Sequence, residues 1–172
     1  NKGNFTAPLI VGADGRNSKM RFFANIKNFF FDYNQAAYVF NITHTLSHHS
    51  KALERFFPSG PLALLPMQDN NKKSSSVVWT VDIPFKNKLL ENKSFYKEFD
   101  QRYAKAFGKI TKTTKPVVYN LNVISCYEYF KERIVLIGDA CQAIHPIAGQ
   151  GLNLGLRDSN DLAKIISDST SL

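Results

Sequence analysis

Between Arg133 and Asp158 the chain reads RIVLIGDACQAIHPIAGQGLNLGLRD, and this stretch restricts the possible folds more than any other. Ile134 to Ile137 run without interruption into Gly138-Asp139, as in a buried strand that stops at a tight turn. A loop bearing Pro146 follows, and the spacing then predicts a helix over 152–166 with Leu152, Leu156, Leu162, Ala163 and Ile166 on its inner side. In open α/β sheets, ligands sit beyond the carboxyl ends of the strands, where an acid such as Asp139 accepts hydrogen bonds from ribose hydroxyls. The first turn of the following helix offers unsatisfied N–H groups and a positive dipole end, which suit a phosphate or an electron-rich ring edge. Glycine at 149 and 151 removes the Cβ atoms that would hold a flat cofactor off the backbone. A ligand-free strand–turn–helix with an ordinary Asp turn fits the same letters. Gly149, Gly151 and Gly155 are spaced G-x-G-x-x-x-G, and G-x-G-x-x-G occurs nowhere in the chain.

Elsewhere the pattern alternates between strands and one clear helix. Ala7–Gly15 (APLIVGADG) reads as a short buried strand ending in a Gly-Asp-Gly turn, and Ala37–Leu46 as a strand rich in β-branched and aromatic residues. Gly60–Met67 and Ser75–Ile83 read as two antiparallel strands joined by a polar loop, the second closed by Pro84. In SFYKEFDQRYAKAFG, Phe95, Phe99, Tyr103 and Phe107 recur every fourth residue, with Ser94 placed to cap the helix and Gly108 to stop it. The segment from Lys115 to Phe130 reads as one or two strands. Buried strands thus bracket an antiparallel, helix-bearing middle, which suggests an inserted domain.

The 172 residues suffice for one domain with a proper core, or a domain and part of another. No apolar run approaches the ~20 residues that span a bilayer, and NKGNFTAPLIVGADG lacks the pattern of a signal peptide. Cys126 and Cys141 give neither a disulfide framework nor metal-ligand spacing, which suits a reducing cytoplasm. The net charge of +8 is compatible with an anionic partner, though scattered lysines also describe a plain solvated surface. No nucleic-acid motif accompanies them. His44, His48 and His49 have no cysteine or carboxylate cluster beside them and read as a solvated strand end, so no metal site is expected. Phe40, Leu64, Met67 and Trp79 suit an apolar substrate pocket, but ordinary core packing explains each of them singly.

Two motifs carry a family resemblance. VGADGRNSKMR (Val11–Arg21) resembles the Asp-Gly motif of class A flavin-dependent aromatic hydroxylases, the para-hydroxybenzoate hydroxylase-like monooxygenases. GDACQAIHPIAGQGLNLGLRD (Gly138–Asp158) resembles the second flavin motif of the same family, in the expected order. With GPLALLPM and VVWT, the pattern is most similar to the 2-polyprenyl-6-methoxyphenol hydroxylases of ubiquinone biosynthesis. The resemblance implies an α/β (α+β) fold: part of a Rossmann-like FAD/NAD(P)-binding domain (1–18 and 127–172) around an inserted antiparallel-sheet substrate domain (19–126). By resemblance, Asp139 binds ribityl or ribose hydroxyls of FAD, Pro146 borders the flavin, and Gly149, Gln150, Gly151, Leu152 and Asn153 turn backbone N–H groups to its pyrimidine edge. Asp14 and Gly15 match a motif near the pyrophosphate that is implicated in NAD(P)H binding, with Arg16 and Arg21 as anion partners or plain surface ion pairs. Where many members have Ala-His, this chain has Cys141-Gln142, so no imidazole stands there; His145 precedes Pro146 and suits a structural role.

The implied activity is an NAD(P)H- and O2-dependent hydroxylation of a polyprenylated phenol, with the flavin supplying the oxygen chemistry and no side-chain catalytic residue. Such a substrate implies a cytoplasmic enzyme with peripheral membrane contact, to which a basic surface is suited, and possible association with other ubiquinone-biosynthesis enzymes. Against the family pattern the chain reads as a fragment that lacks the Gly-rich turn for the adenosine pyrophosphate and is inactive alone. A halogenase or a polyprenyl reductase of the same fold, or a non-catalytic truncated interaction module, stands as the alternative.

Overall fold

The computed structural model describes residues 3–91, 93–146 and 149–169. The chain folds as two compact units, Asn1–Tyr33 with Asn122–Leu172, and Asn34–Leu121. The second lies inside the interval 19–126.

In the first unit, β1 (Ile10–Gly12) pairs in parallel with β9 (Ile134–Leu136), and β9 pairs antiparallel with β8 (Phe130–Lys131). The expected strand at the N-terminal end is present, but it is not buried. Ile10 and Val11 are each more than two-fifths exposed, because β1 is the outer strand of a three-stranded sheet. Helix α1 (Lys19–Phe23), which the sequence pattern did not disclose, packs Met20 toward Gly12. A Cβ at Gly12 would lie 2.6 Å from Leu136 Cδ2 and 2.9 Å from Met20 Cβ, so this position must be glycine for strand and helix to close. Ile26, Cys126, Leu136, Ala140 and Cys141 form the small core here. β10 (Gln142–Ala143) pairs antiparallel with the last residues of β7 (Val117–Cys126), opposite Ser125 and Ile124. The unit ends in α4 (Gln150–Asp168). No helix among the described residues is long and apolar enough to cross a membrane.

The second unit is an antiparallel sheet with helices on one face. β2 (Asn28–His44) pairs along Gln35–Thr43 with β5 (Ser74–Asp82), β5 with β4 (Gly60–Pro66), and β4 with β3 (Leu53–Phe57). The predicted β4–β5 pair is therefore present. β6 (Ile110–Thr113) borders β2 on its other side. Alternation puts Tyr38, Phe40 and Ile42 of β2, Leu62 and Leu64 of β4, and Val77, Trp79 and Val81 of β5 on one buried face. Leu89 of α2 (Ile83–Glu91) and Phe99 and Tyr103 of α3 (Phe95–Tyr103) cover it. Each large apolar side chain buried in this way contributes roughly 1.5–3 kcal/mol. Phe40, Leu64 and Trp79 are core residues, as packing alone suggests, whereas Met67 is exposed.

As expected, β5 ends ahead of Pro84, which sits in the first turn of α2, where its missing N–H costs nothing, while the Asp82 carboxylate accepts from the Phe85 N–H at 2.7 Å. Two local expectations change. Ser94 makes no side-chain cap, and α3 stops at Ala104, which with Lys105 adopts positive φ before Gly108 is reached. His44 and His48 are not solvated: both are buried, and each lies edge-on or tilted against Phe107. His44 is held by the Leu46 carbonyl at 2.7 Å and Ser75 Oγ at 2.9 Å.

Burial foremost, aided by repulsion from His48, holds the His44 imidazole below its ordinary pKa, against the opposing pull of the Leu46 carbonyl. Because the unfolded chain then takes up a proton that the folded chain refuses, stability is lost as pH falls below the unfolded value near ~6.5. The urea midpoint should drop between about pH 7 and pH 5, and His44→Asn, though less stable at neutral pH, should show a smaller drop. Denaturation followed by Trp79 fluorescence at both pH values checks this.

Candidate functional site

The turn after β9 is built on two close backbone approaches. Ile137 donates its N–H to the Gly12 carbonyl at 3.0 Å, which locks β9 beside the end of β1. Gly138 then takes φ +59, where a side chain would be strained. A Cβ at Gly138 would stand 3.7 Å from Gly155 Cα, and one at Gly155 3.6 Å from Gly138 Cα, so α4 crosses the turn glycine on glycine. Gly138–Ala140 continues as a single 3-10 turn.

Asp158 fixes that crossing. Its carboxylate accepts the Gly138 N–H at 2.8 Å and the Gln142 side-chain amide at 3.1 and 3.3 Å. Cys141 Sγ lies 3.8 Å from the same carboxylate. Burial, with Asp158 and Cys126 as further causes, pushes the Cys141 thiol up to about 12, so it stays a protonated donor rather than a nucleophile. Asp158 was not singled out in the sequence. The available signal is its spacing from Gly151 and Gly155: it shares their helix face, an acid on a stripe that otherwise packs inward. That stripe is Gly151, Leu154, Gly155, Asp158, Leu162 and Ile166. Leu152 and Leu156, expected on the inner side, are 73% and 59% exposed, because glycines rather than leucines make the close approach.

Beyond the ends of β1 and β9, and against the first turns of α4, lies a cleft of 320 Å³. Gly15, Asp139, Gly151 and Leu152 line it, joined by Ala13, Gly155 and Ser159. A Cβ at Gly15 or Gly151 would meet no atom within 4 Å, so both backbones stand open. Gly149 begins α4 with φ +61 and no side chain caps the helix, leaving the first-turn N–H groups uncapped by side chains.

The remaining sequence candidates are placed otherwise. The Asp14 carboxylate turns to α1, accepting from Ser18 Oγ and from the Lys19 and Met20 N–H groups. The Ser18 bond, with the two backbone bonds, holds its carboxyl below the usual range. Arg16 donates to the Asn122 carbonyl and side-chain oxygen at 3.0 Å each, and its Nε lies 3.9 Å from the Asp139 carboxylate. Arg21 donates to the carbonyls of Ala140 and Arg16. Both arginines therefore tie loops together. Pro146 is exposed and its carbonyl accepts the Gly149 N–H at 3.0 Å; Gln150 and Asn153 are also exposed, and residues 147–148 of the motif lie outside the described residues. His145 packs edge-on against Tyr33, and burial lowers its pKa. No group of three or more His, Cys, Asp or Glu able to hold a metal is found among the described residues.

A parallel strand pair, a glycine-opened helix start and an acid-rimmed cleft are the parts of a nucleotide-cofactor fold. The myxobacterial chondrochloren halogenase CndH, a variant of the FAD-dependent halogenases, shares the fold with a TM-score of 0.74 at 14% identity, over 95% of this chain and 41% of that one. Residues 1–170 match the FAD binding domain family, and the chain belongs to it. The ubiquinone hydroxylase UbiL of Rhodospirillum rubrum is 39% identical over 160 residues, covering 92% of this chain and 37% of that protein. The mitochondrial ubiquinone biosynthesis monooxygenase COQ6 of Homo sapiens is 31% identical, covering 95% of this chain and 42% of its own length. The chain thus spans about two-fifths of the curated relatives it matches.

Asp158→Ala should leave the Gly138 N–H and the Gln142 amide without their acceptor and destabilise the protein by about 1–3 kcal/mol. Asp158→Asn, which keeps one carbonyl oxygen, should cost less. Urea midpoints of the two variants without added flavin measure the difference.

Proposed function

We propose that this chain forms one side of the FAD site of a monooxygenase that hydroxylates a polyprenylated phenol in ubiquinone biosynthesis, using NAD(P)H and O2. The observation that carries the reading is the cleft at the carboxyl ends of β1 and β9, with Asp139 at its rim and the bare backbone of Gly151 on its wall. Its residues fit a flavin nucleotide. A carboxylate that is nearly half exposed is available to sugar hydroxyls, and the positions where a ring must come close carry no Cβ. The identity of 39% to a ubiquinone hydroxylase favours hydroxylation over halogenation, since the halogenase likeness extends to fold alone.

In this reading Asp139 accepts hydrogen bonds from the ribityl or ribose hydroxyls, with the Arg16 guanidinium 3.9 Å beside it. The N–H groups that open α4 donate to the polar edge of the ring system, and Leu152 shields that edge from water. The Asp14–Gly15 turn, held rigid by the Asp14 cap of α1, borders the region where the nicotinamide nucleotide approaches. When bound, the flavin supplies the redox and oxygen chemistry. The polypeptide's part is to bind, orient and exclude water, and no side-chain acid, base or nucleophile is assigned. The substrate's prenyl tail brings the enzyme to a membrane face and to neighbouring enzymes of the same route.

In a protein carrying residues 1–172, Asp139→Ala should weaken FAD binding about ten- to a hundredfold, through charge-assisted hydrogen bonds worth roughly 1.5–3 kcal/mol. Gly151→Val should reduce FAD affinity while leaving the flavin-free melting temperature nearly unchanged, since its side chain enters open space. Flavin fluorescence titration with parallel thermal unfolding separates the two effects. Wild-type FAD affinity in both variants would refute the assignment of the cleft.

A further inference from the structure

The chain's positive charge is not evenly spread. Residues 34–121 hold thirteen lysines and arginines against six acids, a balance of +7 out of the total of +8. Within that unit, backbone pairing gathers lysines at one end. The segment from Thr43 to Lys51 is its axis: Thr43 pairs with Lys112 of β6, and His44 donates its N–H to the Lys73 carbonyl at 2.9 Å. Thr45 donates to the Lys109 carbonyl at 3.0 Å, His48 to the Lys72 carbonyl at 2.9 Å, and Lys51 to the His48 carbonyl at 2.9 Å. Neighbouring strands lie ~4.8 Å apart, so the backbones of these five exposed lysines gather within about 15 Å at one end of the unit, comparable with the ~10 Å Debye length in 0.1 M salt. Asp69, close by in the chain, already accepts from the Asn71 and Lys73 N–H groups, bonds it would give up to pair with a lysine. In their midst Leu46 is 60% exposed, its backbone pinned by a bond to the Phe107 carbonyl at 3.0 Å.

We propose that this end of the Asn34–Leu121 unit docks on an anionic phospholipid membrane. Exposed lysines gathered at one end with an exposed aliphatic side chain among them supply the two signals that reversible membrane attachment needs, electrostatic attraction and a short apolar insertion. Single-stranded nucleic acid would instead call for exposed aromatic faces among the lysines, and Phe107 is turned inward against His44 and His48. The inference deepens the membrane-facing part of the proposed function, but it rests on charge and exposure in one unit and not on the flavin cleft.

The test is partition of a protein carrying residues 1–172 between buffer and sedimented vesicles, made of phosphatidylcholine with or without about one-third phosphatidylglycerol. Each lysine near such a surface contributes about fivefold. The triple variant K72Q/K109Q/K112Q should therefore lose about a hundredfold in partition, and Leu46→Ser several-fold. The variant K86Q/K88Q/K93Q, which removes the same charge outside the patch, should lose less than fivefold. Circular dichroism confirms that each variant is folded, and flavin retention is read on the same samples. Equal binding to neutral vesicles, equal loss in the two triple variants, or tighter capture by single-stranded RNA than by anionic vesicles at the same salt overturns the proposal. Lost vesicle binding with flavin retained condemns this surface alone, whereas lost flavin with vesicle binding retained condemns the cofactor reading alone.

Discussion

One carboxylate holds the cofactor side of this chain together. Asp158 reaches from the middle of α4 to the Gly138 N–H and the Gln142 amide, and it does so across a glycine–glycine contact that brings the helix almost onto the turn. The two features need each other. Glycine at 138 and 155 lets the two backbones meet directly, a Cβ at either standing 3.6–3.7 Å from the other's Cα, and at 138 it also accepts φ +59. Without Asp158, the crossing would leave a backbone donor and a side-chain amide with no partner. Because α4 is held at this point, the placement of its first turn, and hence of Gly151 at the cleft, depends on a bond two turns away.

The same economy explains why the cleft contains so few committed side chains. Asp14, Arg16 and Arg21, which a motif search would offer to a ligand, are largely spent on backbone groups of the protein itself. Asp139 differs: Arg16 lies 3.9 Å from it, a loose ion pair that leaves its oxygens accessible. The raised pKa of Cys141 follows from the same packing, since a thiol buried against a carboxylate is kept neutral and serves as a donor. A cleft walled by backbone and by one available acid suits a cofactor that brings its own reactivity.

The Asn34–Leu121 unit is organised on a different principle, an aromatic layer. Trp79 packs with Tyr38, Phe85, Phe95 and Phe99, and the Arg102 guanidinium lies 4.6 to 5.5 Å from the ring centres of Phe85, Phe57 and Trp79 while pairing with Glu98. Rings with a cation on their faces hold a charge that would be expensive to bury alone. The layer also accounts for the histidines: His44 continues the core-facing register of β2 past Ile42, so it is drawn inward with its neighbours and satisfied by Ser75 and a backbone carbonyl.

Local rules carried the sequence a long way. The four-residue aromatic period of α3, the alternation of β4 and β5, and the apolar run into Gly138-Asp139 each specify an element, because they depend only on backbone periodicity and on the residues that interrupt it. The cofactor family was legible for the same reason, since its motifs are contiguous. What escaped depends on partners distant in the chain. No local pattern states that Arg16 will meet Asn122, 106 residues on, or that a strand of apolar residues will lie at the outside of its sheet. Leu162 and Ile166 lie on the inner stripe of α4 as expected, but Leu152 and Leu156 do not, because Gly151 and Gly155 take the inward positions of its first turns. His44 and His48 resemble a solvated strand end until Phe107 covers them. Sequence determined the periodic strands and helices and the cofactor family; only the tertiary structure decided which faces are buried, because burial is a property of pairs of elements and not of either one.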